Sequence, residues 1–226
     1  MEIFNEYSDQ IFAAFWTTIQ LTVFSAIGAL LLGTVLAAMR LAPVPMLNWI
    51  GTSYVNVVRN TPLTLICFVA SLGLSQTLGV TMASRQSPTF IVDSNFRLAV
   101  LGLTLYTAAF VCETVRSGVN TVPLGQAEAA RSLGLSFGQN LGIILLPQAF
   151  RAVLIPMGSV LIALTKNTTI ASAIGVAEAA LLMKEMIEST AAVMVVGSIF
   201  ALGFVILTLP LGLLFGYLGK RMAVAR

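Results

Sequence analysis

Four ionisable side chains lie within or beside long apolar stretches of this chain. They are Arg59, Glu113, Arg116 and Lys166. A charged side chain inside an apolar helix is costly, and it usually faces a partner charge or a water-filled path. Cations in such a path could hold a carboxylate, so these positions are candidates for contact with a small charged molecule.

A purely structural interpretation of the same residues stays open. Glu113 and Arg116 are three positions apart, so they can pair on one helix face and seal the end of that helix. Lys166 could neutralise Glu113, or its amine could reach the membrane interface. However, Lys166 is followed by Asn167 and Thr168, which are hydrogen-bonding side chains where an apolar helix would be expected to continue. This arrangement is suited to holding a carboxylate, and both interpretations stay open.

The composition places the chain in a lipid bilayer. Hydrophobic residues make up 58% of its 226 residues and charged residues 9%, and the mean hydropathy is +0.95. Such a sequence cannot supply the charged surface of a water-soluble protein. The 12 basic residues exceed the 9 acidic ones by only three, which is too sparse for a nucleic-acid surface. We therefore expect a membrane protein that does not bind nucleic acid.

Several catalytic chemistries are excluded by what the sequence lacks. Histidine is absent and the two cysteines, Cys67 and Cys112, lie in apolar stretches, so no zinc site is expected. The only Gly-Lys pair, Gly219-Lys220, is followed by Arg221 where a phosphate-binding loop requires Ser or Thr. We therefore predict that the chain is not an enzyme on its own, and that any ATP hydrolysis occurs in a partner subunit.

The charge-free runs predict an all-α integral membrane protein with about five transmembrane helices. A helix needs roughly 20 mostly apolar residues to cross the hydrocarbon layer. The predicted spans are residues 11–39, 60–82, 97–115, 142–165 and 190–218. Residues 41–58 are uncharged but more polar, which favours an amphipathic connector or an early turn of the second span. Counting them as a span of their own gives six.

Basic residues predict the orientation, because Lys and Arg in short loops are retained on the cytoplasmic side. With the C-terminus in the cytoplasm, that side holds Arg40, Arg116, Arg131, Arg151, Lys220, Arg221 and Arg226. The N-terminus is then outside. It begins with an acidic segment and a long apolar run, so we expect no cleavable signal peptide.

The longest predicted cytoplasmic loop, residues 116–141, is suited to docking. Helix formers fill residues 126–133, and Gly134 and Gly138 then predict a bend between two short helices. Ala129 and Ala130 leave a smooth surface with Glu128 beside it, which another protein could approach closely. An amphipathic helix lying on the membrane surface is the competing interpretation.

The loop and several segments elsewhere resemble the permease subunits of bacterial ABC importers for polar amino acids. The loop carries Glu128-Ala129-Ala130, then Gly134 after three residues, then Ile144, Leu146 and Pro147. Further matches are Arg59-Asn60-Thr61-Pro62-Leu63, Tyr106-Thr107-Ala108-Ala109 with Glu113 and Arg116, Gly125-Gln126, Pro147-Gln148-Ala149 and Lys166-Asn167-Thr168-Thr169. The resemblance extends from about Ile11 to the end of the chain. It implies a type I ABC importer-like fold with one permease domain, residues 1–226.

The resemblance also implies an assembly in the bacterial cell membrane. It has two ATPase subunits that bind ATP and Mg, a second permease chain that is homologous or identical, and an extracytoplasmic amino-acid-binding protein. The loop would be a coupling helix that docks on an ATPase. The coupling residues would be Glu128, Ala129, Ala130, Arg131, Gly134 and Pro147, and transport would proceed by alternating access.

The substrate pathway implied by the resemblance contains Arg59, Asn60, Glu113, Lys166, Asn167 and Thr168. Asn60 stands where the family usually has glycine, and Leu65, Ile66 and Cys67 occupy a stretch that often contains glutamine. Because Arg59 and Lys166 outnumber Glu113, an acidic amino acid such as glutamate is the first choice, and a glutamine-like substrate is close behind. The alternatives from other classes are an ion-coupled secondary transporter without an ATPase, or a membrane scaffold. We find no repeat between the two halves of the chain of the kind that secondary transporters show.

Overall fold

The computed structural model describes residues 2–222, except the side chains of Glu2, Ile3, Asn5 and Gln76. Arg226, which the sequence places in the cytoplasm, lies outside the described residues. The α-helices are α1 (Glu2–Leu41), α2 (Pro45–Arg59), α3 (Leu63–Phe68), α4 (Phe90–Val119), α5 (Leu124–Ser132), α6 (Phe137–Gln139), α7 (Leu146–Ala152), α8 (Leu154–Asn167), α9 (Ala179–Thr190) and α10 (Val193–Met222). Two π-helical segments, Val69–Thr77 and Asn140–Leu145, and a 3₁₀ segment, Thr168–Ile174, complete the regular structure.

Four helical segments of the described chain are long and apolar enough to cross a membrane. They are Glu6–Leu41, Phe90–Val119, Leu154–Ile174 and Val193–Met222. The 40 residues of α1 extend about 60 Å, which is roughly twice the hydrocarbon thickness. The first and third predicted spans therefore lie inside longer helices. The fifth begins three residues before α10, at the end of α9, and the fourth is interrupted at Val153 between α7 and α8.

The second predicted span is bent. Helix α2 and the segment Leu63–Ser75 meet at 107°, where Pro62 prevents the helix from continuing through residues 60–62. The stretch 41–58 is thus mostly a separate helix, which buries Gly51 and Val55 against α1 and α4 and leaves much of its remaining surface exposed. A separate helix with one buried face and one exposed face is what the prediction of an amphipathic connector describes.

Helices α1 and α4 run parallel to each other, and this direction determines how many times the chain crosses the membrane between them. Successive contacts pair Ser25 with Val100, Gly28 with Thr104, Gly33 with Val111 and Arg40 with Glu113. Two parallel spans need one return crossing between them, so the bent pair counts as one span. The prediction of about five transmembrane helices is therefore confirmed.

The remaining spans return in alternating directions. Helices α8 and α10 are antiparallel, because Gly158 meets Phe215 while Ile155, nearer the start of α8, meets Gly219. One end of the bundle, which we call the coupling end, thus holds the ends of α1, α4 and α10, the start of α8, and α5 to α7. The described basic residues at this end are Arg40, Arg59, Arg116, Arg131, Arg151, Lys220 and Arg221.

At the opposite end, the buried Glu178 fixes the start of α9. Its carboxylate accepts hydrogen bonds from the backbone N–H groups of Ala180 and Leu181 at 2.9 and 3.1 Å. The hydroxyl of Thr18 accepts the N–H of Ala179 at 3.2 Å, so α9 is also attached to α1. Burial raises the pKa of the Glu178 carboxyl to about 7, although the two N–H groups oppose this shift.

Close helix packing depends on glycines that the sequence analysis did not single out. A methyl group on Gly33 would lie 2.6 Å from Val111 Cβ and 2.8 Å from the carbonyl oxygen of Ala108. By contrast, among the described residues such a group on Gly216 would meet no atom within 4 Å outside its sequence neighbours and the adjacent backbone of α10. The α1–α4 contact therefore requires glycine at position 33.

We predict that Gly33→Ala destabilises the protein whereas Gly216→Ala does not. The added methyl must displace α1 from α4, at a cost of roughly 1–3 kcal/mol. In thermal unfolding of the detergent-purified protein, Gly33→Ala should lower Tm by several degrees, and Gly216→Ala should leave it within about one degree. Equal Tm values for the two variants would contradict the assigned helix contact.

Candidate functional site

A cavity of about 290 Å³ lies between α4 and α8, partway along both helices. Its walls are Tyr106, Thr107, Phe110, Ser159, Val160, Ala163, Leu164 and Asn167. Hydroxyl and amide groups thus face the cavity from an otherwise apolar wall, as is typical of sites for small polar ligands. Asn167 is a predicted pathway residue. Tyr106 and Thr107 belong to a segment that the sequence analysis used only for the resemblance, and Phe110 and Ser159 were missed.

A cluster of three charged residues adjoins this cavity. Glu113 pairs with Arg40, which lies in the last turn of α1, and Arg59 Nη1 is 3.7 Å from the same carboxylate oxygen. The Arg59 guanidinium carbon also lies 5.6 Å from the ring centre of Phe110, a cavity wall residue. The cluster carries two positive charges and one negative charge, so it has a net charge of +1 beside the cavity.

The two arginines of this cluster differ in accessibility. The Arg40 side chain is 8% exposed, whereas that of Arg59 is 46% exposed. Arg40 Nε is buried without a hydrogen-bond partner, so Glu113 is the main compensation for that buried charge. Arg59 is therefore the member that is free to meet a ligand, while Arg40 holds Glu113 in position.

The sequence-based alternative in which Glu113 pairs with Arg116 is wrong. Glu113 instead connects the end of α1 with the end of α2, across more than 50 positions of the sequence. Arg40 was predicted only as a cytoplasmic charge. Nothing in the local sequence indicates its role, because the pairing depends on the parallel packing of α1 and α4.

The other predicted pathway residues lie in different surroundings. Lys166 is exposed and has no ion pair in the described part of the chain. Asn60 is exposed and its amide donates to the carbonyl of Asn56 at 2.7 Å. Thr168 is fully buried and its hydroxyl donates to the carbonyl of Thr165 at 2.7 Å. The hydroxyl donor of Thr168 is therefore already used, and Thr168 does not belong to the cavity wall.

The coupling loop forms the two short helices that the glycines predict. Helix α5 ends in a Schellman motif, in which Leu135 N–H donates to the carbonyl of Ala130 and Gly134 N–H to that of Arg131. Gly134 has φ of +80°, which glycine adopts without strain. Apart from its two sequence neighbours, no residue that the structure describes has an atom within 4 Å of the place where a Cβ of Gly134 would be.

The surface of α5 is available to a partner. Leu124 and Leu133 are each 81% exposed at the two ends of the helix. Glu128, Ala129 and Arg131 are also exposed, and neither charged residue has an ion pair within the described chain. Ala130 is instead buried and faces the protein, which the sequence analysis did not foresee.

Two polar contacts connect this loop to the bundle. The amide of Gln148 donates to Gln126 at 2.6 Å, and the amide of Asn140 donates to the carbonyl of Ala127 at 3.2 Å. Pro147 is exposed in the first turn of α7. The Gly-Gln and Pro-Gln-Ala segments of the sequence are thus in direct contact, which connects α5 with α7.

Comparison with known families gives the class of the protein. Residues 11–224 match the family described as the inner membrane component of binding-protein-dependent transport systems. The chain belongs to this family. It is a multi-pass membrane permease component, and the resemblance inferred from its motifs is confirmed.

Individual relatives are similar over nearly the whole chain. A glutamate transport system permease protein of Corynebacterium efficiens is 62% identical over 214 residues, which cover 94% of each chain. A probable glutamine ABC transporter permease protein of Bacillus subtilis is 35% identical, over 97% of this chain and 94% of its own. These matches favour the ABC importer prediction over an ion-coupled secondary transporter.

The fold is also known from a solved structure. A chain of an amino acid ABC transporter crystallised with histidines superposes with a TM-score of 0.80 at 26% identity, covering 96% of this chain and 95% of that one. The predicted type I ABC importer-like permease fold is therefore confirmed.

We predict that Glu113→Gln destabilises the protein more than Glu188→Gln does. The first substitution leaves the buried Arg40 without its charge partner, at a cost of about 2 kcal/mol, as for the loss of a hydrogen bond to a charged group. Glu188 pairs with Lys184 at 3.8 Å on an exposed face, where the side chains are 65% and 69% exposed, so its loss should cost less than about 0.5 kcal/mol. Thermal unfolding of the purified variants measures both; equal shifts would contradict the role assigned to Glu113.

Proposed function

We propose that this chain forms the transmembrane path of an ATP-driven importer for an acidic amino acid, with glutamate as the preferred substrate. The observation that carries the proposal is the cluster of two arginines and one glutamate beside a cavity large enough for one amino acid. The 62% identity to a permease protein of a glutamate transport system supports the same choice.

The electrostatics of the site favour an anionic substrate. Glutamate carries two carboxylates and one ammonium, and its net charge of −1 complements the net +1 of the cluster. Arg59 can bind a substrate carboxylate in place of Glu113, because its guanidinium is 3.7 Å from the Glu113 oxygen and its side chain is 46% exposed. Asn167 and Ser159 offer hydrogen bonds deeper in the cavity. Lys166, which is exposed and unpaired in the described chain, adds a second cation near Asn167.

The geometry supports a transport cycle driven from the coupling end. Two ATPase subunits, with ATP and Mg bound, would close beneath a pair of permease chains that are homologous or identical. Each α5 would move with its ATPase, through Glu128, Ala129, Arg131 and the bend at Gly134. The contact between Gln126 and Gln148 and the turn at Pro147 would carry that movement to α7 and α8, one wall of the cavity.

The charges support an orientation for the chain. Most of the described basic residues lie at the coupling end, which favours an arrangement with that end in the cytoplasm of a bacterial cell and the N-terminus outside. An extracytoplasmic binding protein would deliver the amino acid at the opposite end, and residues 1–226 would act as one permease domain.

We expect Gly134→Leu to uncouple ATP hydrolysis from uptake. A side chain there would strain the positive φ and project from the surface that faces the ATPase. Gly79→Leu is a matched control, since Gly79 also has positive φ, of +66°, and open surroundings but lies outside the loop. In vesicles containing the whole transporter, Gly134→Leu should reduce uptake at least about tenfold while the chain stays in the membrane. Full coupled uptake by this variant would refute the docking assignment.

We expect Arg59→Ala and Lys166→Ala to weaken glutamate uptake without reducing assembly. Vesicles that contain the transporter, its binding protein and internal ATP, with ion gradients collapsed by ionophores, would show ATP-dependent accumulation of labelled glutamate. Arg59→Ala should lower the uptake rate by about tenfold or more, since it removes a charge partner of the substrate. Lys184→Ala, which removes a cation from an exposed pair on α9, is the control.

Three outcomes would contradict the proposal. Unchanged uptake by Arg59→Ala or by Lys166→Ala would remove that residue from the substrate path. Uptake that follows an ion gradient and ignores ATP would refute the ATP-driven mechanism. Accumulation of glutamine in preference to glutamate would refute the assigned substrate class.

A further inference from the structure

A second polar cavity lies near the end of the bundle opposite the coupling end. It encloses about 430 Å³ between the π-helical segment Val69–Thr77, the start of α4 and the end of the 3₁₀ segment Thr168–Ile174. Four of its wall residues carry hydroxyl or amide groups, namely Ser71, Ser75, Ser94 and Asn95. No charged side chain contributes to the wall that the structure describes.

Ser94 is the wall residue that indicates a ligand. It is 3% exposed, and its buried hydroxyl has no hydrogen-bond partner. Other hydroxyls in the spans donate to the carbonyl four residues earlier, as in Thr22 to Thr18 and Thr114 to Phe110. A buried hydroxyl left without a partner costs roughly 1–3 kcal/mol. The hydroxyl oxygen has almost no accessible surface, so a molecule in the cavity can use its hydrogen-bonding capacity only after the Ser94 side chain rotates toward the cavity.

An apolar layer separates this cavity from the deeper one beside Arg59. The layer contains Cys67, Leu103, Leu164 and Ala171, which are all buried in one cluster. Ser94 and Tyr106 are 12 residues apart on α4, so the two cavities are about 18 Å apart along that helix. Leu164 also forms part of the deeper cavity wall, and Ile174, in the same cluster, part of the outer one.

We infer that the outer cavity is a second binding site for the transported amino acid, occupied before the apolar layer opens. This inference rests on the proposed function as an amino-acid importer. Hydroxyl and amide groups can donate to the α-carboxylate and accept from the α-ammonium, which all amino acids share. Because the wall has no charged side chain, the outer site accepts glutamate and glutamine alike, and selection by charge occurs at the deeper cavity.

Protection of an introduced thiol tests the outer site separately from transport. Ser75→Cys places a thiol in the half-buried part of the cavity wall, in the assembled transporter. A water-soluble methanethiosulfonate reagent should modify it, and L-glutamate or L-glutamine should slow the modification at similar concentrations. Ser84→Cys, at an exposed position in the loop before α4 and outside both cavities, is the control that the reagent should modify and the amino acids should not protect. The parent chain, whose two cysteines are buried, gives the background rate.

Two further variants distinguish the outer site from the deeper one. Adding Ser94→Ala to Ser75→Cys should raise the half-protecting glutamate concentration by roughly three- to tenfold, as expected for the loss of one hydrogen bond. Adding Arg59→Ala should abolish uptake and leave the protection unchanged.

Each remaining result overturns the inference. Protection that disappears with Arg59→Ala would mean that the deeper cavity is the only site. Absence of modification by the water-soluble reagent would mean that lipid covers the cavity. Modification without protection, in a transporter that imports glutamate, would refute the outer site and leave the proposed function intact. Absence of ATP-driven glutamate uptake by the parent transporter would be a failure of the proposed function itself.

Discussion

The close parallel packing of α1 against α4 is the contact on which the remaining structure depends. It requires glycine at position 33, because the backbone of α4 approaches where a Cβ would lie. It also brings Arg40 beside Glu113. The direction of the other spans follows from this pair, since two parallel helices need a return crossing between them. Helix α4 then supplies one wall of both cavities and leads directly into the coupling loop.

The buried ion pair connects this scaffold to the site. Arg40 fixes Glu113, and Glu113 in turn positions the more exposed Arg59 beside Phe110. A single carboxylate shared by two guanidinium groups leaves one positive charge uncompensated, which suits an anionic substrate. Pairing with Glu113 thus offsets the cost of burying the Arg40 charge in the membrane. The charge of Arg59 remains available to bind a ligand.

The sequence predicted the helices, the family and the bend at Gly134 because these depend on local patterns. Apolar runs define spans, and a glycine after a run of helix formers defines a helix end. The sequence did not predict the partner of Glu113, because Arg40 is 73 positions away and the pairing needs the parallel packing of two helices. It also missed Phe110, Ser159 and Ser94, which are unremarkable in sequence and become site residues only when α4 meets its neighbours. The predicted role of Thr168 depended on its residue type, whereas its hydroxyl bonds to Thr165 in the fold.

We propose that a separate ATPase drives the movement of this chain through α5. The decisive measurement is purification of the tagged chain from its native membrane in mild detergent, followed by mass spectrometry of the bound proteins. We expect recovery of an ATPase subunit, and we expect replacement of residues 128–134 to remove that subunit while the chain remains in the membrane. A single species that accumulates amino acid in vesicles without ATP would refute the ATP-driven mechanism.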